Sequence, residues 1–198
     1  WHDAAVICST SVSPRKMLFV RYVESNAFPI VVGGSKTIYF FRKLGTTLER
    51  VKGTFGKQKK IQPILCGIGG EECGQGESQI YTGTVSGHIY VWEHCKVAFT
   101  VTAHDAPIYA MSKLPHGYAS AGKDGIVKLW SRKLQLVHTY NTQAFKPSPY
   151  ATACHSLCTN IAGTRIAIGM RSGEIFEVSL PTHARSLLIE SHSYRELH

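Results

Sequence analysis

Apolar and polar residues alternate along short runs of this chain, and turns rich in Gly, Ser, Asn and Asp interrupt them. Alternation with a period of two predicts strands whose side chains point to opposite faces in turn. The clearest example is residues 102–139, TAHDAPIYAMSKLPHGYASAGKDGIVKLWSRKLQLVHT. Its GKDG segment, residues 122–125, lies between two such runs and predicts a tight hairpin. The run after the turn ends on Trp130, and an Ala-His pair, Ala103 and His104, precedes the first strand.

Three other passages align with this one without gaps. Residues 87–92 (GHIYVW), 36–41 (KTIYFF) and 173–178 (GEIFEV) fall on residues 125–130, which places Trp92, Phe41 and Val178 at the position of Trp130. Trp1-His2-Asp3 reads as the end of a further copy. Successive anchors Trp1, Phe41, Trp92, Trp130 and Val178 are 40, 51, 38 and 48 residues apart. Four-stranded units at roughly 40 to 50 residues are the signature of propeller blades, so the predicted fold class is an all-β propeller. It has about four complete blades and partial blades at both ends.

The alternation divides the chain accordingly. Residues 1–12 end a preceding blade, with an outer strand at 4–12. Residues 14–55 form a blade with strands at 16–22, 28–33 and 36–42 and a fourth within 46–55. Residues 56–102 form the next, with strands at 61–68, 79–83, 88–92 and 96–101 and a Gly-rich loop at 69–78. Residues 103–140 are the most complete unit, against which the others are aligned. Residues 150–190 follow a Pro-bearing connector at 144–149, with strands at 151–159, 165–169, 174–178 and 186–190. Residues 191–198 begin another blade, and the whole is expected to be a piece of a longer chain.

The recurrent residue types have a packing role. A Trp on an inner strand fills the gap between adjacent sheets. A His ahead of the first strand, a hydroxyl on the second and an Asp in the hairpin turn can link by hydrogen bonds to its indole N–H, because buried polar groups need partners. Within residues 103–140 the candidates are His104, Ser120, Asp124 and Trp130. The preceding blade has Thr82 and Trp92 but Ser86 in place of the Asp, so its network is expected to be incomplete. This unit resembles the WD repeat, in which a His/Ser/Asp group is structural, and no catalytic residue is assigned.

A second resemblance covers most of the chain. The strand TIYFFR followed by Gly53-Thr54-Phe55-Gly56-Lys57 is similar to a G-x-F-G-K element of the echinoderm microtubule-associated-protein-like family. YTGTVSGHIYVW, AHDAPIYAM and SAGKDGIVKLW resemble that family's next two blades in order. GMRSGEIFEV and the closing Arg195-Glu196-Leu197 resemble later segments. Phe41 and Val178 depart from the family's usual Trp.

The resemblance implies a non-enzymatic microtubule-associated scaffold of the cytoplasm and cytoskeleton, cilium axonemes included. Its implied partners are tubulin and microtubules, other cytoskeletal or axonemal proteins, and further blades of its own chain. The alternative is a general WD-repeat adaptor for another protein complex or for nucleic acid.

Composition and charge refine this picture. Hydrophobic residues make up 43% and charged residues 18%, as in ordinary folded domains, and no apolar run reaches the roughly 18 residues of a membrane helix. A membrane partner is not expected. Of the formal net charge of +9, residues 36–60 carry +7, from eight basic residues against Glu49. Arg42, Lys43, Arg50, Lys52, Lys57, Lys59 and Lys60 are therefore candidates to meet an acidic partner through salt-sensitive contacts; the alternative is a solvated strand edge that discourages pairing. Nucleic acid is disfavoured, since stacking platforms need several aromatics and Phe55 is nearly alone among these cations.

Other chemistry is excluded on local grounds. The six cysteines fall at irregular spacing in or beside strands and read as reduced, buried thiols of an intracellular protein. In Cys154-His155-x-x-Cys158, alternation would send both cysteines to one face and His155 to the other, and no second pair completes a zinc site. Residues 117–123 match most of a phosphate-binding loop, but Asp124 replaces the required Ser or Thr and a strand follows instead of a helix. No metal or cofactor is expected.

Overall fold

The computed structural model describes residues 8–11, 16–25, 27–56, 60–74, 77–145 and 153–190. The alternating runs form four sheets, each of four consecutive antiparallel strands. The first blade comprises β1 (Met17–Tyr22), β2 (Ile30–Gly34), β3 (Ile38–Leu44) and β4 (Thr47–Lys52). The second comprises β5 (Ile64–Gly74), β6 (Glu77–Thr84), β7 (His88–Glu93) and β8 (Lys96–Thr102). The third has β9 (Ile108–Leu114), β10 (Gly117–Gly122), β11 (Ile126–Ser131) and β12 (Leu136–Asn141), and the fourth β13 (Cys154–Thr159), β14 (Arg165–Met170), β15 (Ile175–Ser179) and β16 (Arg185–Ile189). The first strands β1, β5, β9 and β13 adjoin one another in succession, so the blades follow one another about an axis.

Both faces of an interior blade are covered, and this is why the core consists of layers between sheets. Between blades 1 and 2 lie Val31, Ile38, Phe40, Phe55, Ile64, Tyr90 and Trp92. Tyr81, Ile89, Val91, Met111, Tyr118 and Trp130 fill the next gap. Ala119, Val127, Leu129, Leu157, Ile166, Ile168, Phe176 and Val178 fill the third. On β11 the alternation is direct: Val127 and Leu129 face blade 4, whereas Trp130 faces blade 2.

Several expectations need correction. The segment 69–78, expected as a Gly-rich loop, belongs mainly to strands, with Gly69 opposite Ile80 and Glu72 opposite Ser78. A Cβ on Gly70 would lie 2.6 Å from the Tyr81 ring, so this glycine serves close packing, as does Gly67 just before the segment, where a Cβ would lie 2.9 Å from Phe19. The outer strand expected at 4–12 is not formed by residues 8–11, and its remainder lies outside the described residues. So do Trp1-His2-Asp3 and the expected start of a further blade at 191–198.

In β13 the register shifts between Cys154 and Ser156. The bulge places Leu157 on the same buried face as Cys154 and turns Cys158 to solvent, so the two cysteines do not share a face. Nor are the cysteines uniformly buried: Cys154 is buried and Cys158 exposed, while Cys8, Cys66, Cys73 and Cys95 lie between these limits.

Candidate functional site

In blade 3 the fold brings four sequence-separated polar groups into one chain. Asp124 sits in the β10–β11 turn, where Oδ1 accepts the backbone N–H of Ile126 at 3.0 Å. Its Oδ2 lies 2.9 Å from His104 Nδ1. An ionised carboxylate can only accept, so Nδ1 carries the proton and Nε2 is an acceptor. Ser120 donates its hydroxyl proton to that Nε2 at 2.8 Å. Ser120 Oγ in turn accepts the indole N–H of Trp130 at 2.9 Å. Burial disfavours the imidazolium and holds His104 below its ordinary pKa of 6.5, outweighing the opposing pull of Asp124.

These contacts share the connectivity of a hydrolytic triad, but Ser120 and the His104 side chain are wholly buried. A nucleophile must meet its substrate. Here the serine lone pairs face an indole within the sheet, and the arrangement ties the turn, the second strand and the third strand together. The phosphate-loop lookalike has no cradle either, because residues Gly117–Gly122 are the buried strand β10.

Blade 2 keeps part of the arrangement. Trp92 donates its indole N–H to buried Thr82 Oγ1 at 2.9 Å. Ser86, at the turn position, pairs instead with His88 Nδ1 at 2.8 Å. The cross-strand registers identify the equivalent pairs elsewhere: Ser120 faces Lys128 and Thr82 faces Tyr90, while Val32 faces Tyr39 and Ile168 faces Phe176. Blades 1 and 4 thus combine Val32 with Phe41 and Ile168 with Val178. Neither blade has an indole or a hydroxyl at these positions.

Three polar contributors were not apparent from the sequence. Tyr90 donates its hydroxyl to the Lys60 carbonyl at 2.8 Å and accepts from buried Gln62 at 2.6 Å. In blade 3 the equivalent Lys128 reaches the Ala103 carbonyl at 2.5 Å. Both side chains span from a third strand to the segment entering their blade. The legible signal is positional: aligned repeats place a long side chain with a polar tip two residues before each Trp.

Among its described residues, the basic segment does not form one patch. Arg42 pairs with Glu49 across the β3–β4 ladder and lies over the Phe28 ring. Arg50 donates to the Ser11 carbonyl at 2.5 Å and covers the Tyr39 ring. Lys43 is exposed near the β3–β4 turn, and Lys36 and Lys52 are exposed toward the other end of the blade. Lys43 and Lys52 are four register positions apart, about 13 Å at strand rise. Lys36 and Lys52 rim an open cavity of about 850 Å³, also lined by Phe55 and Ile61. Lys60 is exposed; Lys57 and Lys59 lie outside the described residues.

Phe55 cannot serve as a stacking platform. It is buried, edge-on to Trp92 with ring centroids 5.2 Å apart and to Tyr90 at 6.2 Å. Thr54 beside it accepts the backbone N–H of Val97 and donates its own to the Cys95 carbonyl. A Cβ on Gly53 would come within 2.3 Å of Ile38. The described part of the G-x-F-G-K element thus fastens the exit of blade 1 to the outer strand of blade 2.

No protein-family model matches the chain. Among curated proteins it is 31% identical to echinoderm microtubule-associated protein-like 1 of Mus musculus over 143 residues, which is 70% of this chain and 17% of that protein. It is 25% identical to echinoderm microtubule-associated protein-like 2 of Homo sapiens over 203 residues, 97% of this chain and 28% of the relative. It is 23% identical to echinoderm microtubule-associated protein-like 4 of Mus musculus over 152 residues, 69% of this chain and 15% of that protein. The chain therefore spans well under a third of each relative. A solved structure titled "Crystal structure of RRP9 WD40 repeats" superposes with a TM-score of 0.68 at 15% identity, over 89% of this chain and 52% of that one. The fold is that of a WD40 propeller.

Proposed function

Starting from the chain's relationship to the echinoderm microtubule-associated-protein-like proteins, we propose that it forms part of a non-enzymatic scaffold that binds microtubules or other cytoskeletal proteins, axonemal ones included, through its propeller surfaces. The observation that carries the reading is the 31% identity to a relative with that name over 70% of the chain. The WD40 fold supports the coarser statement that the protein works by protein–protein interaction, whereas a fold alone does not choose the partner. A cytoskeletal location in the cytoplasm accompanies this reading.

The exposed lysines of blade 1 supply a mode of contact. Lys36, Lys43, Lys52 and Lys60 have no ion-pair partner among the described residues, while Arg42 is paired with Glu49 and Arg50 donates to the Ser11 carbonyl. An acidic protein surface would meet these cations with contacts that weaken as salt rises. Burial of the Ser120 hydroxyl supports the non-enzymatic reading. Burial of Phe55 weighs against a nucleic-acid partner, because the basic segment then offers no aromatic platform for bases.

The test is co-sedimentation of the full-length protein with microtubules across a salt series. Pelleting that declines with salt is expected, and absence of pelleting at low salt would refute the microtubule reading and leave the general adaptor.

A further inference from the structure

The open cavity of about 850 Å³ at the edge of blade 1 is lined by three separate parts of the chain. Lys36 comes from the β2–β3 turn, Lys52 to Gly56 from the exit of β4, and Ile61 from the segment that enters β5. Each part is fastened. Ser35 donates its backbone N–H to the Lys16 carbonyl at 3.1 Å and Gly34 donates to the Thr37 carbonyl at 2.8 Å, which closes the turn that carries Lys36. Gly53 donates to the Ile38 carbonyl at 2.9 Å, and Thr54 to the Cys95 carbonyl at 2.9 Å. Tyr90 bonds the Lys60 carbonyl and accepts from buried Gln62, so Ile61 lies between two anchored neighbours. The walls of the cavity are set by the fold itself.

The lining holds two cations and no carboxylate. Lys36 and Lys52 are both exposed and have no ion-pair partner among the described residues, and Glu49, the acid on β4, is already paired with Arg42. Lys52 lies opposite Tyr39 in the ladder, three residues beyond Lys36, so the two cations belong to the same end of the sheet. Ile61 is 57% exposed, whereas the Phe55 ring is buried.

These features choose among occupants. Unpaired lysines that line a cavity attract carboxylates. Burial of Phe55 leaves no ring on which a base could stack, while the exposed aliphatic Ile61 offers contact to an apolar side chain. A second copy of the chain would bring a further net charge of +9 to a cationic surface.

We propose that this cavity docks an extended segment of a partner protein rich in glutamate or aspartate, with carboxylates on Lys36 and Lys52 and one aliphatic side chain against Ile61. The proposal rests on the reading of the exposed blade 1 lysines as a contact for an acidic protein, and it narrows the seat of that segment to one end of the blade. Lys43, near the β3–β4 turn, lies outside it.

Fluorescence anisotropy of the full-length protein with a labelled Glu-Glu-Leu-Glu-Glu peptide tests the proposal. Saturable binding that weakens with salt is expected, reduced about tenfold or more by Lys36→Glu combined with Lys52→Glu. Ile61→Asp should also reduce it, Lys43→Glu should leave it unchanged, and a Lys-Lys-Leu-Lys-Lys peptide should not bind. Unaltered thermal midpoints establish that the variants fold, and Lys36→Gln with Lys52→Gln serves if the charge reversal does not. No saturable binding, equal binding by the cavity variants, or equal loss with Lys43→Glu would overturn the proposal. So would tighter binding of a single-stranded oligonucleotide of equal charge, or a dimer in sedimentation that Lys36→Glu with Lys52→Glu dissolves. Microtubule pelleting of the same proteins separates the two readings. Pelleting without peptide binding refutes the cavity alone, and peptide binding through Lys36 and Lys52 without pelleting refutes the microtubule reading alone.

Discussion

Trp130 donates its indole N–H to Ser120 Oγ at 2.9 Å, and Trp92 donates to Thr82 Oγ1 at the same distance one blade earlier. Where the indole is missing, in blades 1 and 4, the hydroxyl position is aliphatic as well, as Val32 and Ile168 show. The two groups occur together or are absent together. A buried donor without its acceptor, or the reverse, costs about 1–3 kcal/mol, whereas removal of both can be nearly neutral.

Ser120→Ala should therefore destabilise the protein by about 1–3 kcal/mol, because it strands the Trp130 N–H and His104 Nε2 together. Ser120→Ala combined with Trp130→Phe should cost less than the sum of the two single changes. Urea unfolding of the four proteins in this cycle measures the coupling, and strict additivity would contradict it.

Acidification should weaken the fold through His104. Its folded pKa lies below 6.5, so the unfolded chain takes up this proton first as pH falls. The contribution is complete above about pH 6.5 and declines from there down to the depressed folded value. Thermal midpoints followed against pH should drop over that window, and His104→Gln should flatten this part of the profile.

Phe55→Ala should destabilise by about 3–5 kcal/mol, since the ring fills the layer between blades 1 and 2. Ile161→Ser, at a wholly exposed position, should leave the unfolding midpoint nearly unchanged. Chemical denaturation separates the two outcomes.

Microtubule pelleting should respond to Lys43→Glu and Lys52→Glu, which reverse exposed charges, with a smaller salt dependence in the double variant. Arg42→Ala should affect pelleting less, because its charge is already paired with Glu49. Co-sedimentation at two salt concentrations tests the contrast.

Thiol labelling at neutral pH should modify Cys158 well before Cys154 or Cys66. Cys158 is exposed, whereas burial pushes the Cys154 thiol up to about 11 and the Cys66 thiol up to about 12. Mass spectrometry of peptides after brief maleimide treatment gives the order.

Much of the strand plan was legible because it rests on local rules. Apolar alternation and turn residues recur at each repeat, so the strands around Trp92 and Trp130 could be placed with no knowledge of the neighbouring sheets. The Gly-rich stretch 69–78 misled because loop chemistry and close strand packing both call for glycine. Only the Tyr81 ring lying against Gly70 distinguishes the two. Likewise, simple alternation put Cys158 on the wrong face because one bulged residue shifts everything after it by a step.

The sequence by itself determined the repeat, the four-stranded unit and the residue types that must find one another in blade 3, for these follow from period and local turn geometry. The tertiary structure alone decided which cations remain exposed and that Phe55 is a wedge between blades. Those properties depend on how one sheet packs on the next, bringing together atoms far apart along the chain, and a one-dimensional pattern does not carry that distance information.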